Sequence, residues 1–589
     1  MIRRAVPPTL LLAALVASPA YAAGDPIMPL DQVRPGMACI AKSVIRGTEV
    51  VTFDARIDDV LSEPRDLRRS RLLITVSGAA IDATGVGAGF SGSPVICTGS
   101  DGVARIAGAI SETIGAYGGK TVLATPIQAV IGEPVDPPRQ KASAARSARL
   151  LAGARPLAAP ISIGGLSPAL GSVVQRAAQR AGRNVFLAPS AEARAAQAPA
   201  APLVPGSAVA IGYATGDISV GAVGTVSYVD GNAVWALAHP FDGAGRRDLF
   251  LQSAYVFGVI NNPVSVESGS TYKLALPGAA IGTLRQDGLS GVAGRVGAGP
   301  PSYGLRVTAR DLDAGRRRAI LTQLADERAI GFPVGYSALS TLAAPAAIDA
   351  MLDVLSGSPV RQSADMCLRV QIKQRKRGLA FCNRYVGGGG EPEVMASGAL
   401  ASDIGSATRL LDAFDAAKLD VTGVEIGLRA RRGLALATLV RVRGPRVVRR
   451  GATLTLRASV RKPGGAIVIR RIRVRVPRFM PPGERDLLLK GSEADALPGD
   501  SLDLSGLFGE GGGEGDADLT PPTSVKALAK RFSGLHRYDG VSARFVPPGA
   551  DAPADLPGGA ERYAQRSRRV FRDERIRIAG DARWPLFVR

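Results

Sequence analysis

The stretch 89–94, GFSGSP, is the most informative segment of the chain, and it predicts a turn that presents a serine side chain. Glycine at 89 and 92 allows the backbone conformations that a tight bend requires. In such a turn Ser91 would project its hydroxyl as a nucleophile, and the N–H groups of Gly89 and Ser91 would hold the oxyanion that forms on attack. The alternative is an ordinary glycine-serine hairpin turn in a chain with 71 glycines.

A serine hydroxyl is a weak nucleophile until a base takes its proton, and histidine is the usual base. The chain has only two histidines. His239 follows an apolar segment, 233–238, that reads as a strand, and side chains at strand ends commonly point into clefts. His536 lies in a weakly patterned tail, where a surface position is expected. The sequence therefore pairs Ser91 with His239, although a lone histidine there would more often be structural.

At 589 residues the chain is too long for one hydrophobic core and should contain roughly three or four domains. Alternating apolar residues and glycine-rich turns predict a mainly β fold. Within the second β segment the pattern predicts a hairpin at 230–232 and helices at 317–330 and 343–356. The predicted order is a first β segment with the serine turn (27–137), an Ala-rich helical or flexible connector (138–204), a second β segment with the histidine and helices (205–386), a β-sandwich (391–490), a Gly/Asp-rich linker (491–523) and a mixed C-terminal segment (524–589).

Residues 1–22 have the pattern of a secretory signal peptide. Two arginines precede a short apolar run, and the small-residue motif at 20–22 is typical of a cleavage site. The run is too short for a stable membrane anchor. We therefore expect an exported protein of the periplasm, the cell envelope or the medium.

Four cysteines fit that compartment, since exported proteins with an even count favour disulfides. The most economical pairs are Cys39–Cys97 and Cys367–Cys382, although four cysteines allow three pairings. Zinc is a poor alternative, because the chain has no C-x-x-C motif and few histidines. The Gly/Asp-rich linker lacks the aspartate spacing of a calcium loop, so no metal is assigned.

The formal charge of +22 raises the question of a nucleic-acid partner. The arginines are spread over many segments, and the densest cluster, 429–450 with 470–475, alternates with apolar residues as on the solvent faces of strands. Export also removes the chain from most nucleic acid. We therefore expect no nucleic-acid binding, and attraction to an anionic envelope surface is the remaining electrostatic alternative.

Two regions of the sequence resemble bacterial proteins with a SpoIVB-type (stage IV sporulation protein B) serine peptidase domain, over about residues 28–330. The segments that carry this resemblance are 28–30 (MPL), 34–37 (RPGM), 46–49 (RGTE), 89–94 (GFSGSP), 224–226 (GTV), 238–241 (AHPF), 282–284 (GTL), 286–287 (QD) and 291–294 (GVAG). The resemblance implies that Ser91 is the nucleophile and His239 the base. It also implies a fold like the chymotrypsin-like pair of β-barrels, with the site between them.

The sequence departs from that family pattern in several ways. Ser91 precedes His239, as though two halves were permuted, and no PDZ-like segment is found. Ala238 stands where a glycine is expected before the histidine. No aspartate occupies the place upstream of the serine turn. Asp248 is the marginal choice of acid, with Asp82, Asp242 and Asp287 as alternatives, or a backbone carbonyl could orient the imidazole of a Ser–His dyad.

These observations predict an exported serine endopeptidase that cleaves a protein or peptide substrate in a limited or regulatory way, with no metal or organic cofactor. The main alternative is a catalytically inactive envelope protein that uses the same fold for binding or as a scaffold. An esterase is a weaker alternative, because 95–110 continues as β and no strand–elbow–helix pattern follows Ser91.

Overall fold

The structure is a computed structural model that describes residues 24–114, 119–137, 155–156, 161–168, 170–172, 174–175, 185–188, 202–261, 271–330, 338–355, 362–387, 399–491, 521–535, 540–549, 568–572 and 576–589. Within these ranges strands predominate, as the sequence pattern predicts. The predicted signal peptide, most of the connector, nearly all of the Gly/Asp-rich linker and His536 lie outside them.

The first sheet has seven strands: β1 (Ala38–Val44), β2 (Val50–Leu61), β3 (Arg71–Ser77), β4 (Pro94–Thr98), β5 (Ala104–Thr113), β6 (Thr121–Pro126) and β7 (Arg155–Pro156). Strand β4 pairs with both β1 and β5, so the ring β4-β1-β2-β3-β6-β5 closes into a six-stranded barrel. Along β2, Phe53, Ala55 and Ile57 are buried and their neighbours face outward. This period of two is the geometry of a pleated strand with one buried face.

The second sheet has thirteen strands: β8 (Ile161–Gly164), β9 (Val185–Ala188), β10 (Ala208–Gly216), β11 (Ser219–Asp230), β12 (Ala233–Ala236), β13 (Gly245–Asn261), β14 (Thr271–Asp287), β15 (Val292–Val296), β16 (Ser302–Asp311), β17 (Arg317–Ala325), β18 (Gln362–Ile372), β19 (Arg375–Gly387) and β20 (Val421–Arg432). Their order is β19-β18-β20-β16-β17-β10-β13-β14-β15-β12-β11-β8-β9, and β10 also pairs with β11. The predicted hairpin at 230–232 is confirmed, because Asp230 pairs with Ala233 at the start of β12.

The C-terminal strands are β21 (Leu436–Arg443), β22 (Val447–Val448), β23 (Thr453–Arg461), β24 (Ile467–Arg475), β25 (Gly483–Lys490), β26 (Gly540–Val546), β27 (Arg568–Arg572), β28 (Arg577–Ala579) and β29 (Asp581–Val588). They form a four-stranded sheet, β24-β23-β21-β28, and a five-stranded sheet, β22-β29-β25-β26-β27. Buried residues of both sheets, such as Leu456 and Leu487, share one hydrophobic core. The segment 524–589 therefore contributes strands to this core, while β20 pairs with β16 and β18 in the second sheet.

The structure also contains α1 (Ile127–Ile131), α2 (Ala338–Leu355), α3 (Ala399–Asp412) and α4 (Val525–Ser533), with short 3-10 turns at Leu30–Gln32, Leu67–Arg69 and Glu327–Ile330. The described residues between 168 and 175 are helical as well. In the described part of the chain, α2 is the one helix long and apolar enough to cross a membrane, and 83% of it is buried inside the protein. It shares a hydrophobic core with α3 and with the second sheet, so its apolar composition is also that of a core helix.

The sequence prediction of a helix at 317–330 is wrong, whereas that at 343–356 is confirmed by α2. Residues 317–325 form β17, and only Glu327–Ile330 make a helical turn, of 3-10 type. Ile320 and Leu324 are spaced four apart, which suits one helix face, but Thr322 between them is also buried while Leu321 is 45% exposed. The period is thus two, and pairing with β16 along its whole length determines the strand.

Both economical disulfide pairs are present. Cys39 and Cys97 join β1 to β4 in the barrel, and Cys367 and Cys382 join β18 to β19. Each pair lies directly opposite in neighbouring antiparallel strands, so the sheet register itself places the thiols together. Two disulfides are typical of a protein from an oxidising, extracytoplasmic compartment.

Candidate functional site

The serine turn lies between β3 and β4 and is held by backbone hydrogen bonds. The N–H of Phe90 donates to the carbonyl of Gly87 at 3.0 Å, and the N–H of Ser93 donates to that of Phe90 at 2.9 Å. Gly89 and Gly92 have φ of +90° and +93°, the left-handed region that glycine adopts most readily. A Cβ at Gly92 would also lie 1.9 Å from the carbonyl oxygen of Thr225. The turn therefore requires glycine on both sides of Ser91.

Two backbone N–H groups of this turn have no acceptor. Those of Ala88, Phe90, Gly92 and Ser93 all donate to carbonyl oxygens, whereas those of Gly89 and Ser91 donate to none in the described part of the chain. Both residues are buried. Buried N–H groups are nearly always hydrogen-bonded in folded proteins. Two buried N–H groups without an acceptor, separated by a single residue, therefore need an explanation. They are the pair that the sequence predicts as an oxyanion hole.

The Ser91 hydroxyl itself is fully buried, and its Oγ has no hydrogen-bond partner among the described residues. This property alone is not distinctive, since the hydroxyls of Ser219, Ser227 and Ser290 share it. What sets Ser91 apart is its position beside the two unpaired N–H groups. A nucleophile and oxyanion donors together are what acyl transfer requires.

Thr225 on β11 joins the serine turn to the second sheet. Its N–H donates to the carbonyl of Ser91 at 2.8 Å, and its Oγ1 lies 3.0 Å from the carbonyl oxygen of Gly89. Its own carbonyl accepts the N–H of Leu237, just past the end of β12, at 3.2 Å. His239 follows two residues later. The chain thus brings the serine turn and the histidine segment against the same threonine.

Leu237 and Ala238, directly before the histidine, have φ of +66° and +56°. They are the non-glycine residues with positive φ in the described part of the chain, and this region costs a residue with a Cβ about 1–2 kcal/mol. The carbonyl of Ala238 accepts the hydroxyl of Thr125 at 2.8 Å, which holds the bend against β6. The glycine expected at 238 would remove this strain, so the departure from the family pattern has a local energetic cost.

The imidazole of His239 is nearly buried, with 4% of the residue exposed. Its Nδ1 lies 2.7 Å from the carbonyl oxygen of Pro240. Because a carbonyl only accepts, Nδ1 carries the proton, and in the neutral ring Nε2 is then the nitrogen that can accept one. Among the described residues Ser91 Oγ has no hydrogen-bond partner, so the Ser91–His239 hydrogen bond is not formed in this conformation.

A buried carboxylate, Asp287, holds the loop after the histidine. It accepts the N–H groups of Phe241 and Asp242 at 2.7 Å and that of Ala244 at 3.2 Å. Burial raises the pKa of Asp287 to about 6, and the positive charge of Arg247 opposes that rise. Of the candidate acids, Asp287 thus acts on the backbone of the histidine loop.

Arg247 connects the same loop to Glu327, in the 3-10 turn that follows β17. Its guanidinium is fully buried and makes two hydrogen bonds of 2.9 Å to the carboxylate of Glu327. A third bond, of 2.8 Å, reaches Asp242, which also accepts the hydroxyl of Tyr213. Asp242 is therefore also engaged in positioning the loop.

The remaining acid candidates lie in other surroundings. The charged groups that act on the carboxyl of Asp248 include Arg246, Arg285 and Glu327, and burial raises its pKa. No hydrogen bond joins it to His239 among the described residues. Asp82 forms an exposed ion pair with Lys120 at 2.8 Å. The group seen to orient the imidazole is the backbone carbonyl of Pro240.

Lys273 on β14 is a site residue that the sequence did not single out. Its Nζ donates to Ser43 Oγ at 2.7 Å and to Thr225 Oγ1 at 3.0 Å, and lies 4.5 Å from the ring centroid of Phe90. No carboxylate pairs with it in the described chain. Burial lowers the pKa of Lys273 to about 7. The one sequence signal is its phase, since Lys273 shares the inward face of β14 with Thr271 and Ala275.

Comparison of the chain with protein families, with curated proteins and with solved structures gave no match. The SpoIVB-type resemblance therefore stays a prediction from the quoted residues. Among the described residues, no group of three or more His, Cys, Asp or Glu side chains is arranged to hold a metal ion.

The buried lysine predicts a pH-dependent stability. Between about pH 7 and 10.5 the unfolded chain holds a proton that folded Lys273 lacks, so the free energy of unfolding rises with pH through that window and is lowest below it. The slope is at most about 1.4 kcal/mol per pH unit. This pH slope of the free energy of unfolding is measured by urea unfolding of the variant Trp584→Phe, in which the fluorescence of the remaining tryptophan, Trp235, reports unfolding.

When Lys273→Met is added to Trp584→Phe, the rise in the free energy of unfolding with pH that Lys273 causes should be lost. The control Lys418→Met, at an exposed site, should retain that rise. Equal pH slopes for the parent and Lys273→Met would show that Lys273 is not buried uncharged.

The strained bend predicts that Ala238→Gly stabilises the protein. The glycine relieves the strain of the left-handed backbone but costs more conformational entropy on folding. The first contribution to the free energy of unfolding exceeds the second by about 0.5–1 kcal/mol. Ala236→Gly, two residues earlier in β12, is the matched control and should destabilise by about 1 kcal/mol. Urea unfolding compares the two variants, and equal destabilisation by both would contradict the strained bend.

Proposed function

We propose that the protein is an exported serine endopeptidase of the SpoIVB type, with Ser91 as nucleophile and His239 as general base. The observation that carries this proposal is that, among the described residues, the N–H groups of Gly89 and Ser91 have no acceptor and the buried Ser91 hydroxyl beside them has no partner. A structural hairpin turn has no need of unpaired buried donors, which cost about 1–3 kcal/mol each when they stay unsatisfied. A tetrahedral oxyanion would satisfy both.

The proposed reaction begins when Nε2 of His239 takes the Ser91 hydroxyl proton as Oγ attacks the peptide carbonyl carbon. The carbonyl π electrons move to oxygen, and the N–H groups of Gly89 and Ser91 donate to the resulting oxyanion. As the C–N bond breaks, the imidazolium returns the proton to the leaving amine. Water, activated by the same nitrogen, then hydrolyses the acyl-enzyme.

The Pro240 carbonyl supports the base role of His239. By accepting a hydrogen bond from Nδ1–H it fixes the tautomer in which Nε2 is the base, a task that an aspartate performs in many serine peptidases. A neutral carbonyl stabilises the imidazolium less than a carboxylate does. We therefore propose a Ser91–His239 dyad, with Asp287 positioning the loop through its backbone.

The strand pairings support the proposed fold. Besides the closed barrel of β1–β6, strands β10-β13-β14-β15-β12-β11 pair in sequence and β10 pairs with β11, as a second barrel requires. We propose that these two units correspond to the two barrels of a chymotrypsin-like peptidase in permuted order, with the serine turn from one and His239 from the other. The C-terminal sheets would form the appended sandwich.

The full burial of Ser91 suits a peptidase that is closed at rest. A substrate carbonyl reaches Oγ only after the segments around the turn separate, and the Ser91–His239 hydrogen bond would form on that change. Catalytic hydrogen bonds are often absent from the unliganded state. An enzyme held in this way cleaves few substrates, which supports limited or regulatory processing of a protein or itself.

The same burial favours a second candidate function. If the turn never opens, the protein is an inactive envelope protein that uses this fold for binding or as a scaffold. The strained Ala238 and the absence of an acid at the imidazole in the described structure agree with it.

A fluorophosphonate probe separates the two functions. The mature full-length protein is incubated with the probe over an extended time course, and covalent labelling is measured by mass spectrometry. Ser91→Ala should abolish labelling, and His239→Ala should slow it about 10²- to 10⁴-fold. Ser227→Ala, which removes another fully buried and unpartnered hydroxyl, is the matched control and should label as the native protein does.

Circular dichroism confirms that each variant is folded. Labelling that persists in folded Ser91→Ala would eliminate the proposed nucleophile. A native protein that never labels would favour the binding or scaffold function.

A further inference from the structure

The outer face of the four-stranded C-terminal sheet carries an unusual concentration of arginine. Along β23 and β24 the residues that alternate inward, such as Leu456 and Ile472, are buried in the shared core. The residues that alternate outward are therefore exposed to solvent. Seven arginines on this side are exposed, and we call them the arginine face: Arg441, Arg443, Arg457, Arg461, Arg471, Arg473 and Arg475.

Among the described residues, no acid balances this charge on the same face. The other outward residues of β23 and β24 are threonine, serine and isoleucine. In the described chain, none of the seven arginines forms an ion pair. The face therefore presents about seven positive charges to solvent, and their potentials add.

The register places like charges directly opposite one another. Arg457 pairs with Arg471 on one side and with Arg443 on the other, so three arginines form a row across three strands. Like charges in such positions destabilise a sheet. An external anion would remove this cost, so the row indicates a ligand that carries several negative charges.

A comparable row elsewhere in the protein has its own counter-ion. In the second sheet Arg317, Arg310 and Arg429 lie in register, and Asp365 faces Arg429 on the next strand. Asp365 also pairs with Arg384, at 2.6 Å. The arginine face lacks such an acid, which makes it the more suitable surface for an external anion.

Two exposed isoleucines accompany the arginines. Ile467 and Ile469 are 61% and 54% exposed, on the outward side of β24. In register, Ile467 lies opposite Arg461, and Ile469 lies opposite Ser459. Large apolar side chains beside a basic row suit a boundary between phosphate groups and acyl chains.

Protection of a sheet edge explains only part of this pattern. Charged side chains on an edge strand discourage pairing with another chain, and β24 is an edge strand. Arg443 and Arg457 lie on the interior strands β21 and β23, where no such protection is needed. Exposed isoleucines on the edge strand would oppose it.

We propose that the arginine face, together with Ile467 and Ile469, docks the protein onto an anionic phospholipid surface. The arginines bind lipid phosphates, and the isoleucines enter the boundary between headgroups and acyl chains. A face that combines arginines with exposed isoleucines suits a lipid surface better than a linear polyanion, which needs no apolar contacts. This inference is independent of the chemistry at Ser91.

Vesicle co-sedimentation of the full-length protein tests the proposal. Vesicles of phosphatidylcholine with about one third phosphatidylglycerol are compared with pure phosphatidylcholine, at low salt and at about 0.5 M salt. The native protein should bind the anionic vesicles and be released by salt. The variant Arg457→Gln/Arg471→Gln/Arg473→Gln should bind about 100-fold more weakly. The control Arg306→Gln/Arg310→Gln/Arg317→Gln removes the same charge from exposed positions of the second sheet and should bind nearly as well as the native protein.

The variant Ile467→Ser/Ile469→Ser distinguishes a lipid from a soluble polyanion. It should lose vesicle binding while its binding to inorganic polyphosphate stays unchanged. Equal loss in the two arginine triple variants would overturn the proposal, because binding would then follow total charge. A native protein that binds polyphosphate but does not bind anionic vesicles would also overturn it.

Discussion

The site depends on the hydrogen bonds of Thr225. Through its N–H and its hydroxyl, this one residue of β11 fixes the carbonyl groups of Ser91 and Gly89. With those carbonyls held, the two N–H groups of the turn are left without a partner in the described structure. Its own carbonyl fixes Leu237, so the histidine segment is positioned by the same residue. Loss of these bonds would release the carbonyl groups of Gly89 and Ser91, while Ala88 would still pair with Thr271 and Lys273 of β14.

Several buried ionisable groups surround this contact. In the described structure Lys273 donates to the hydroxyls of Ser43 and Thr225 beside the turn, and Asp287 and Arg247 hold the histidine loop. Burying ionisable groups costs free energy, and Asp287 fixes the loop through its backbone N–H groups while Arg247 acts through the carboxylates of Asp242 and Glu327. Fixing the geometry of the serine turn and the histidine loop therefore lowers the stability of the protein, as expected where function requires that geometry.

Much of the fold could be predicted from the sequence. The hairpin at 230–232 follows from its turn residues, the disulfide pairs from economy of spacing, and helix α2 from its apolar length. The strand β17 could not be distinguished from a helix, because the spacing of Ile320 and Leu324 fits both the helical repeat and the strand repeat of two. Only the pairing with β16 decides between them. At the site, the glycines at 89 and 92 predict the serine turn. Ser43, Thr225 and Lys273 could not be found, since their meeting depends on how three strands distant in sequence pack together.

The proposed oxyanion-binding pair of Gly89 and Ser91 is open to direct observation in a crystal structure of the protein reacted with a peptidyl boronic acid. We expect a bond from boron to Ser91 Oγ, with one boronate oxygen about 2.7–3.1 Å from both backbone nitrogens. A boronate on another residue, or one whose oxygens reach neither nitrogen, would contradict it.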